Sequence, residues 1–129
     1  MSDVLGWREW VSLPELGLER IKAKVDTGAR TSALHAFDVE VVEENGVKFV
    51  NFSIHPEQKD LDTVVICKAP VLDEREVRDS GGHIEQRYVI ETQVGIGPNH
   101  HSIEVTLTNR DNMGFRMLLG RTAIKGHYL

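Results

Sequence analysis

The stretch Ala23-Lys24-Val25-Asp26-Thr27-Gly28-Ala29-Arg30-Thr31-Ser32-Ala33-Leu34 indicates the fold of this chain more clearly than any other. It is preceded by alternating basic and apolar residues from Arg20 onwards, a pattern typical of a half-buried β-strand. Asp26 therefore lies at a strand end, where a scaffold can hold a carboxylate in place. Gly28 allows the backbone to come close to whatever group Asp26 faces. Thr27 can form a hydrogen bond with the backbone or with a partner chain. Alone, an Asp-Thr-Gly tripeptide suits an ordinary turn better than an active site.

Period-2 alternation continues along the chain at residues 50–54, 84–96 and 103–107. We interpret these segments as half-buried antiparallel strands. In the second segment one side carries apolar residues, namely Ile84, Tyr88, Ile90, Val94 and Ile96. Turn signals at residues 44–46, 80–82 and 97–99 separate the strands. Helix is expected only at residues 121–125, with one helical turn near residues 31–34, so the sequence predicts an all-β barrel or sandwich.

Composition limits the class of protein. The 129 residues suffice for one core and contain no repeat or linker, so we treat residues 1–129 as a single domain. A chain that is 40% hydrophobic and 27% charged is neither disordered nor fibrous. It has no apolar run long enough for a bilayer and no signal-peptide pattern at the start. A single cysteine, Cys67, cannot form an internal disulfide, and we expect a cytoplasmic protein without membrane association.

The net charge of −5 argues against nucleic acid as the main partner. One local feature has the opposite sign. Basic residues bracket the Asp26 segment, namely Arg20, Lys22, Lys24 and Arg30.

Two further features accompany the Asp26 segment. Residues 71–90 are predicted to form a long β-hairpin with Asp79-Ser80-Gly81-Gly82-His83 at its tip. Downstream, Met117-Leu118-Leu119-Gly120-Arg121 is an apolar strand that ends at glycine and leads into the short helix.

Taken in this order, the three features resemble the retropepsins. The longer pattern is similar to a bacterial family called putative ATP-dependent zinc proteases, now usually grouped as retropepsin-like. The residues that carry this likeness run from Gly6 to about Ile124: Gly6-Trp7-Arg8-Glu9-Trp10-Val11, Leu13-Pro14-Glu15-Leu16, Lys24 to Ala29, Thr31 to Ala36, Arg87-Tyr88-Val89-Ile90 and Met117 to Arg121.

The resemblance implies a retropepsin-like closed β-barrel, one lobe per chain, with a short C-terminal helix, acting as a homodimeric aspartic endopeptidase. Asp26 of each subunit would share one proton and polarise a water molecule. Thr27 would bond across the dimer axis, and Gly28 would shape the catalytic loop. Because Asp62-Thr63-Val64 lacks the glycine, the chain has one such motif and needs a second copy.

The same likeness assigns further roles. Ser80, Gly81, Gly82 and His83 would form the tip of a flap over a peptide or protein substrate. Ala29, Arg30 and Thr31 would line the substrate site, and Leu119, Gly120 and Arg121 would brace the catalytic loop, with a structural salt bridge at Arg121. Related proteins are associated with RimK-type enzymes that add glutamate tails, which suggests such tails as a substrate.

The chain departs from viral retropepsins after Ala29. They carry an acidic residue where this chain has Arg30, Thr31 and Ser32, so their substrate preference does not transfer. We hypothesise that Arg30 binds acidic side chains of the substrate. Pairing of Arg30 with a neighbouring carboxylate is the alternative.

Two other function classes stay open: a zinc peptidase and a non-catalytic peptide-binding module. None of the six histidines has the spacing of a zinc motif, although His35 and Asp26 could meet in three dimensions. A phosphate-binding glycine loop is missing, so we predict no metal and no cofactor. We expect Cys67 to be a core residue. Trp7 and Trp10 are expected to pack on the barrel or at a dimer contact, with substrate stacking as the alternative.

Overall fold

The structure is a computed structural model that describes residues 8–26, 28–56, 62–78, 81–109 and 115–124. Thr27, Asp79, Ser80 and Lys125, which carry parts of the predicted site and helix, lie outside the described residues, as does Trp7. The strands are β1 (Arg8–Leu13), β2 (Leu18–Val25), β3 (Ser32–His35), β4 (Phe37–Glu44), β5 (Val47–Ile54), β6 (Val65–Arg78), β7 (Ile84–Ile96), β8 (Asn99–Thr108) and β9 (Met117–Leu119). The helical segments are a 3-10 turn (Pro14–Leu16) and α1 (Arg121–Ile124).

The strands form one sheet in the order β1-β2-β9-β3-β8-β7-β6-β5-β4. β1 also pairs with β7, where Val11 lies opposite Ile96, and this pairing closes the strands from β1 to β7 of that order into a barrel. β6, β5 and β4 continue from β7 outside the closed ring. The prediction of an all-β closed barrel with a short C-terminal helix is confirmed.

Alternation along the strands places the core inside the barrel. In β2, Ile21 and Ala23 are completely buried, whereas Lys22 and Lys24 are only partly buried. Further fully buried side chains from β2, the other strands and α1 complete the core, and the largest of them are Phe52, Leu13, Leu18, Leu34, Ile54, Ile90, Met117, Leu119 and Ile124. Burying an apolar side chain of this size contributes about 1.5–3 kcal/mol relative to leaving it exposed.

The segments interpreted as antiparallel strands do have antiparallel neighbours, but β2 and β8 each have a parallel neighbour as well. β9 runs parallel to β2 and antiparallel to β3, and β3 runs parallel to β8. The prediction of a helical turn near residues 31–34 was wrong, because this segment is β3. All four residues of β3 are buried between two neighbouring strands, so the sequence shows none of the alternation that marks a half-exposed strand.

The long hairpin is confirmed with the expected extent. β6 and β7 pair from Val71 opposite Ile90 to Arg78 opposite Ile84. Ile84 was expected on the buried face of β7, but it is 56% exposed because this end of the hairpin projects beyond the core. The C-terminal helix α1 has four residues. Among the described residues, no helix is long and apolar enough to cross a membrane.

Candidate active site

Asp26 lies directly after β2, at the point where this strand runs beside β9. The N–H of Asp26 donates to the carbonyl oxygen of Leu119 at 2.9 Å, and Val25 is the partner of Leu119 in the parallel ladder. The ladder therefore extends to Asp26 itself, whose side chain is half-buried. The hydrogen bond to Leu119 therefore fixes the backbone that carries the Asp26 carboxylate relative to the barrel.

A tight turn follows Asp26 and holds one of its carboxylate oxygens. The N–H of Gly28 donates to Oδ1 of Asp26 at 2.9 Å, and the N–H of Ala29 donates to the Asp26 carbonyl oxygen at 3.2 Å. A Cβ at residue 28 would lie 3.1 Å from the same Oδ1, so glycine permits this approach. The arrangement orients the carboxyl group, which is a requirement for general acid–base chemistry.

The end of β9 and the start of α1 hold the loop that leaves the turn. The N–H of Arg121 donates to the carbonyl oxygen of Ala29 at 2.7 Å. The Thr122 N–H and hydroxyl both donate to the carbonyl oxygen of Arg30, at 3.2 and 2.8 Å. Two of these three bonds join backbone to backbone, and the third is donated by the Thr122 side chain, so both kinds of group hold the loop in position.

Gly120 lies in close contact with the backbone of this loop. A Cβ there would lie 2.6 Å from the carbonyl carbon of Thr31 and 2.9 Å from the carbonyl oxygen of Arg30. Any side chain would therefore push the loop away from β9. The structure thus brings most of the predicted site residues into one connected loop and brace: Asp26, Gly28, Ala29, Arg30, Thr31, Leu119, Gly120 and Arg121.

The predicted flap tip lies elsewhere in the sheet. Gly81, Gly82 and His83 are exposed at the end of the β6–β7 hairpin, and Gly82 has a φ of +85° that favours glycine. The hydrogen bonds of the Asp26 loop run instead to β9 and α1. A flap role for this tip stays a prediction.

Sequence reasoning missed two residues that hold the loop, Ser32 and Thr122. Ser32 is fully buried, and its Oγ accepts the N–H of Gly120 at 3.0 Å. Thr122 binds the Arg30 carbonyl oxygen through both backbone and side chain. For Ser32 the available signal was a hydroxyl close to the apolar run of Ala33 and Leu34, within the motif itself.

The two arginines of the site, Arg30 and Arg121, are exposed and form no salt bridge with any carboxylate among the described residues. For Arg121 this replaces the expected salt bridge with a backbone contact, the bond to Ala29. For Arg30 it leaves the guanidinium available to a carboxylate from another molecule.

Neither a zinc centre nor a cysteine nucleophile is supported where the structure describes the chain. No three His, Cys, Asp or Glu side chains converge within the described residues. The buried His35 places its Nδ1 3.2 Å from Nη1 of Arg116, whose positive charge disfavours a metal ion there. Cys67 is 3% exposed, with its thiol against the carbonyl oxygen of Leu16, and burial raises the pKa of this thiol to about 11. The core assignment of Cys67 is confirmed.

Comparison with known proteins gives one family match and several relatives. Residues 4–129 match the model of a family described as RimB-like, retropepsin-like aspartic endopeptidase RimB. A protein named "Probable alpha-L-glutamate ligase" from Desulfotalea psychrophila is 47% identical over 123 residues. A protein of the same name from Parasynechococcus marenigrum is 48% identical over 126 residues.

These relatives are much longer than the matched region. The match covers 95% and 98% of this chain but 26% and 27% of the relatives. The chain therefore spans about a quarter of the length of the curated relatives it matches. Among solved structures, a protein of unknown function from Legionella pneumophila has a TM-score of 0.78 and 25% identity, over 96% of this chain and 88% of that one.

Proposed function

The chain belongs to the RimB-like family of retropepsin-like aspartic endopeptidases, and we propose that it is one subunit of a homodimeric aspartic peptidase. The observation that carries this proposal is the placement of Asp26. Its backbone continues the β2–β9 ladder, and its Oδ1 accepts the N–H of Gly28 at 2.9 Å. This geometry positions one carboxyl group, and the proposed reaction requires a second one.

The proposed mechanism needs two such groups because one carboxyl cannot act as base and acid at the same moment. Two carboxyls at close range share one proton, since like charges held together cannot both ionise. The ionised Asp26 takes a proton from water as the water oxygen attacks the carbonyl carbon of the peptide. The protonated Asp26 of the other subunit donates to the carbonyl oxygen, which gives a neutral gem-diol. As the C–N bond breaks, the first Asp26 passes the proton it took from water to the leaving amine, and the other Asp26 takes back a proton from a hydroxyl of the gem-diol, so the pair again holds one proton.

A two-fold dimer supplies the second carboxyl most simply. The sequence contains one Asp-Thr-Gly motif, and the described strands form one closed barrel rather than two lobes. In a dimer with two-fold symmetry, the same surface of each subunit meets at the axis, so Asp26 near the axis would face its own copy. Thr27 is the residue proposed to bond across this axis.

Acidic peptides are the proposed substrates, with glutamate-rich tails of the kind a RimK-type ligase adds as the specific candidate. Two observations support this. The relatives named as alpha-L-glutamate ligases contain a region similar to this chain. On this chain, the exposed Arg30 next to the catalytic turn has no carboxylate partner among the described residues. The proposed setting is the cytoplasm, where a single free thiol stays reduced.

The test combines one substitution with one measurement of mass. Asp26→Asn should abolish hydrolysis of a glutamate-rich peptide, because an amide neither takes nor gives the proton. The fold should survive, since the Asn oxygen can still accept the N–H of Gly28. Asp62→Asn is the matched control, because Asp62 is exposed and followed by Thr but not by Gly. Light scattering should give the mass of a dimer.

Two results would overturn the proposal. Full hydrolysis by the Asn variant would show that Asp26 is not the catalytic group. Complete loss of activity with a chelator, together with stoichiometric zinc in the purified protein, would favour a metal peptidase.

A non-catalytic peptide-binding module is the second candidate, and the ligase names of the relatives favour it. A region that forms a quarter of such a protein could bind the glutamate chain without cleaving it. A monomer that binds glutamate peptides and releases them uncut would support this candidate over the peptidase.

A further inference from the structure

Basic side chains of this protein fall into two groups according to whether they have acidic partners. Lys48, Lys68, Arg75 and Arg87 each form a salt bridge with a carboxylate. On β2, by contrast, Arg20, Lys22 and Lys24 form no salt bridge with any carboxylate in the part of the chain that the structure describes. The whole chain has a net charge of −5, so these three same-face cations are opposite in sign to the protein overall.

These three cations form a row that points to Asp26. Residues two apart on a strand share a face, so Arg20, Lys22 and Lys24 follow one another on the same side of β2, and Asp26 comes two residues after Lys24, directly after the strand ends. Each step is roughly 6.5 Å, and the row from Arg20 to Asp26 spans roughly 20 Å. An extended peptide has the same period, so alternate side chains of a bound chain would meet successive cations.

An exposed indole holds the far end of the row in place. Trp10 is 47% exposed, opposite Lys22 in the β1–β2 ladder. The guanidinium carbon of Arg20 lies 3.9 Å from the centre of its ring, and Nζ of Lys22 lies 5.6 Å from it. A guanidinium stacked on a ring keeps the N–H donors at its edge free for carboxylates. Trp10 therefore packs on the outer surface of the barrel, against two of the cations.

We propose that Trp10, Arg20, Lys22 and Lys24 form a strip that binds an extended acidic peptide and guides this peptide along β2 towards Asp26. As a substrate-guiding surface, the strip rests on the proposed function, whereas its binding of acidic peptides can be measured without hydrolysis. The occupant follows from charge complementarity. Unpaired cations at peptide spacing favour a chain with carboxylates at alternate positions.

A peptide fits the strip better than nucleic acid does. Glu19 lines the open depression of about 220 Å³ next to Trp10 and Arg20, where it would repel a nucleic-acid backbone, which carries a phosphate at every nucleotide. The rest of the surface is acidic overall, and nucleic-acid binding surfaces are usually part of a basic domain. In an extended peptide, alternate side chains point to opposite sides, so every second carboxylate can lie beside the cations while the others point away from the strip.

The test measures binding of fluorescein-labelled hexaglutamate by anisotropy, with Asp26→Asn in every protein so that no peptide is cut. The strip variant is Arg20→Gln/Lys22→Gln/Lys24→Gln. The control variant, Lys48→Gln/Lys68→Gln/Arg75→Gln, removes the same charge from paired positions elsewhere. We expect the strip variant to weaken binding on the order of tenfold, and the control variant to change it less than twofold. Binding by the protein with an intact strip should fall as salt rises.

Circular dichroism and thermal melting establish that each variant is folded, and the single variant Lys24→Gln replaces the triple if the triple unfolds. The proposed strip would be overturned if the control variant weakened peptide binding as much as the strip variant does. Equal affinity for hexaglutamine and hexaglutamate would also overturn it. Tighter binding of an oligodeoxythymidylate than of hexaglutamate would make it a nucleic-acid surface instead. If the strip variant weakens binding as expected but the protein with Asp26 intact cuts no peptide, the proposed peptidase function fails while the proposed binding strip is supported.

Discussion

The buried hydroxyl of Ser32 accepts the N–H of Gly120 at 3.0 Å and joins the chain that leaves the Asp26 turn to the end of β9. The two residues are 88 positions apart in the sequence. This bond adds to the backbone contacts of Arg121 and Thr122 with Ala29 and Arg30. The geometry of the candidate active site therefore depends on groups that take no part in the chemistry.

Ser32→Ala should lower the free energy of unfolding by about 1–3 kcal/mol, because the buried N–H of Gly120 loses its acceptor. Thr92→Val is the matched control. Thr92 is also a buried hydroxyl residue, but its Oγ1 has no hydrogen-bond partner in the described part of the chain. Its replacement should be neutral or stabilising. Denaturant unfolding of both variants measures the difference, and an equal loss in both would contradict a role for the Ser32 bond.

Gly120→Ala should impair hydrolysis more than its effect on stability explains. The new Cβ would lie 2.6 Å from the carbonyl carbon of Thr31, so the loop next to Asp26 must move. A displacement of about 1 Å at an active site can cost about 100-fold in rate. Activity is measured on the folded fraction, which urea unfolding determines.

The control for this glycine is Gly46→Ala in the β4–β5 turn. Gly46 has a φ of +78°, and a Cβ added there would have nothing within 4 Å, so alanine costs roughly 1–2 kcal/mol of backbone strain without touching the site. The hydrolysis rate of the folded Gly46 variant should equal that of the wild type. A Gly120 variant with the wild-type rate would show that the brace does not position Asp26.

Features with a local signature were predictable from the sequence. Alternating residues mark β2 and β7, glycines mark the hairpin tip and the Asp26 turn, and Met117 to Arg121 shows an apolar strand that leads into a helix. Each of these signals lies within a few residues of the element that it predicts. The barrel class follows from many such strands with little helix.

The remaining features depend on residues far apart in the sequence. The parallel pairing of Val25 with Leu119 leaves no periodic trace in either segment. β3 is buried on both sides, so its sequence resembles a helical turn as much as a strand. Ser32 could be seen as a hydroxyl beside an apolar run, but its acceptor role exists only once β9 is beside it.

Cys67 should react slowly with thiol reagents in the native protein. Burial raises the pKa of its thiol from 9.0 to about 11, and the thiolate is the reactive form. At pH 8 we expect labelling at least tenfold slower than in guanidinium chloride, where the chain is unfolded. Fast labelling of the native protein would contradict burial of the thiol.

The same shift predicts how stability depends on pH. Between pH 9 and about 11 the unfolded chain releases the thiol proton while the folded chain keeps it, so stability should fall with rising pH in this window. Below pH 9 the contribution is constant. Cys67→Ala removes the group, so the difference between the two unfolding curves isolates its effect, and parallel curves would contradict the predicted shift.

Arg30→Ala should reduce the selectivity of hydrolysis for acidic peptides. Arg30 is exposed on the loop that leaves the Asp26 turn, its backbone is held by Thr122, and none of the described carboxylates pairs with its guanidinium. A guanidinium can bind a carboxylate through two parallel hydrogen bonds. We expect the ratio of kcat/KM for a glutamate-rich peptide to that for a glutamine-rich peptide to fall on the order of tenfold.

Two further variants separate recognition by Arg30 from a general effect of charge. Arg30→Lys keeps the charge but loses the planar two-point contact, so it should recover only part of the ratio. Lys48→Ala removes an equal charge from an exposed position that is paired with Glu74, and it should leave the ratio unchanged. If Arg30→Ala lowers both rates equally, the arginine supports the loop rather than the choice of substrate. An unchanged ratio with full activity would mean that acidic peptides are recognised elsewhere, and the strip along β2 would then have to supply the whole preference.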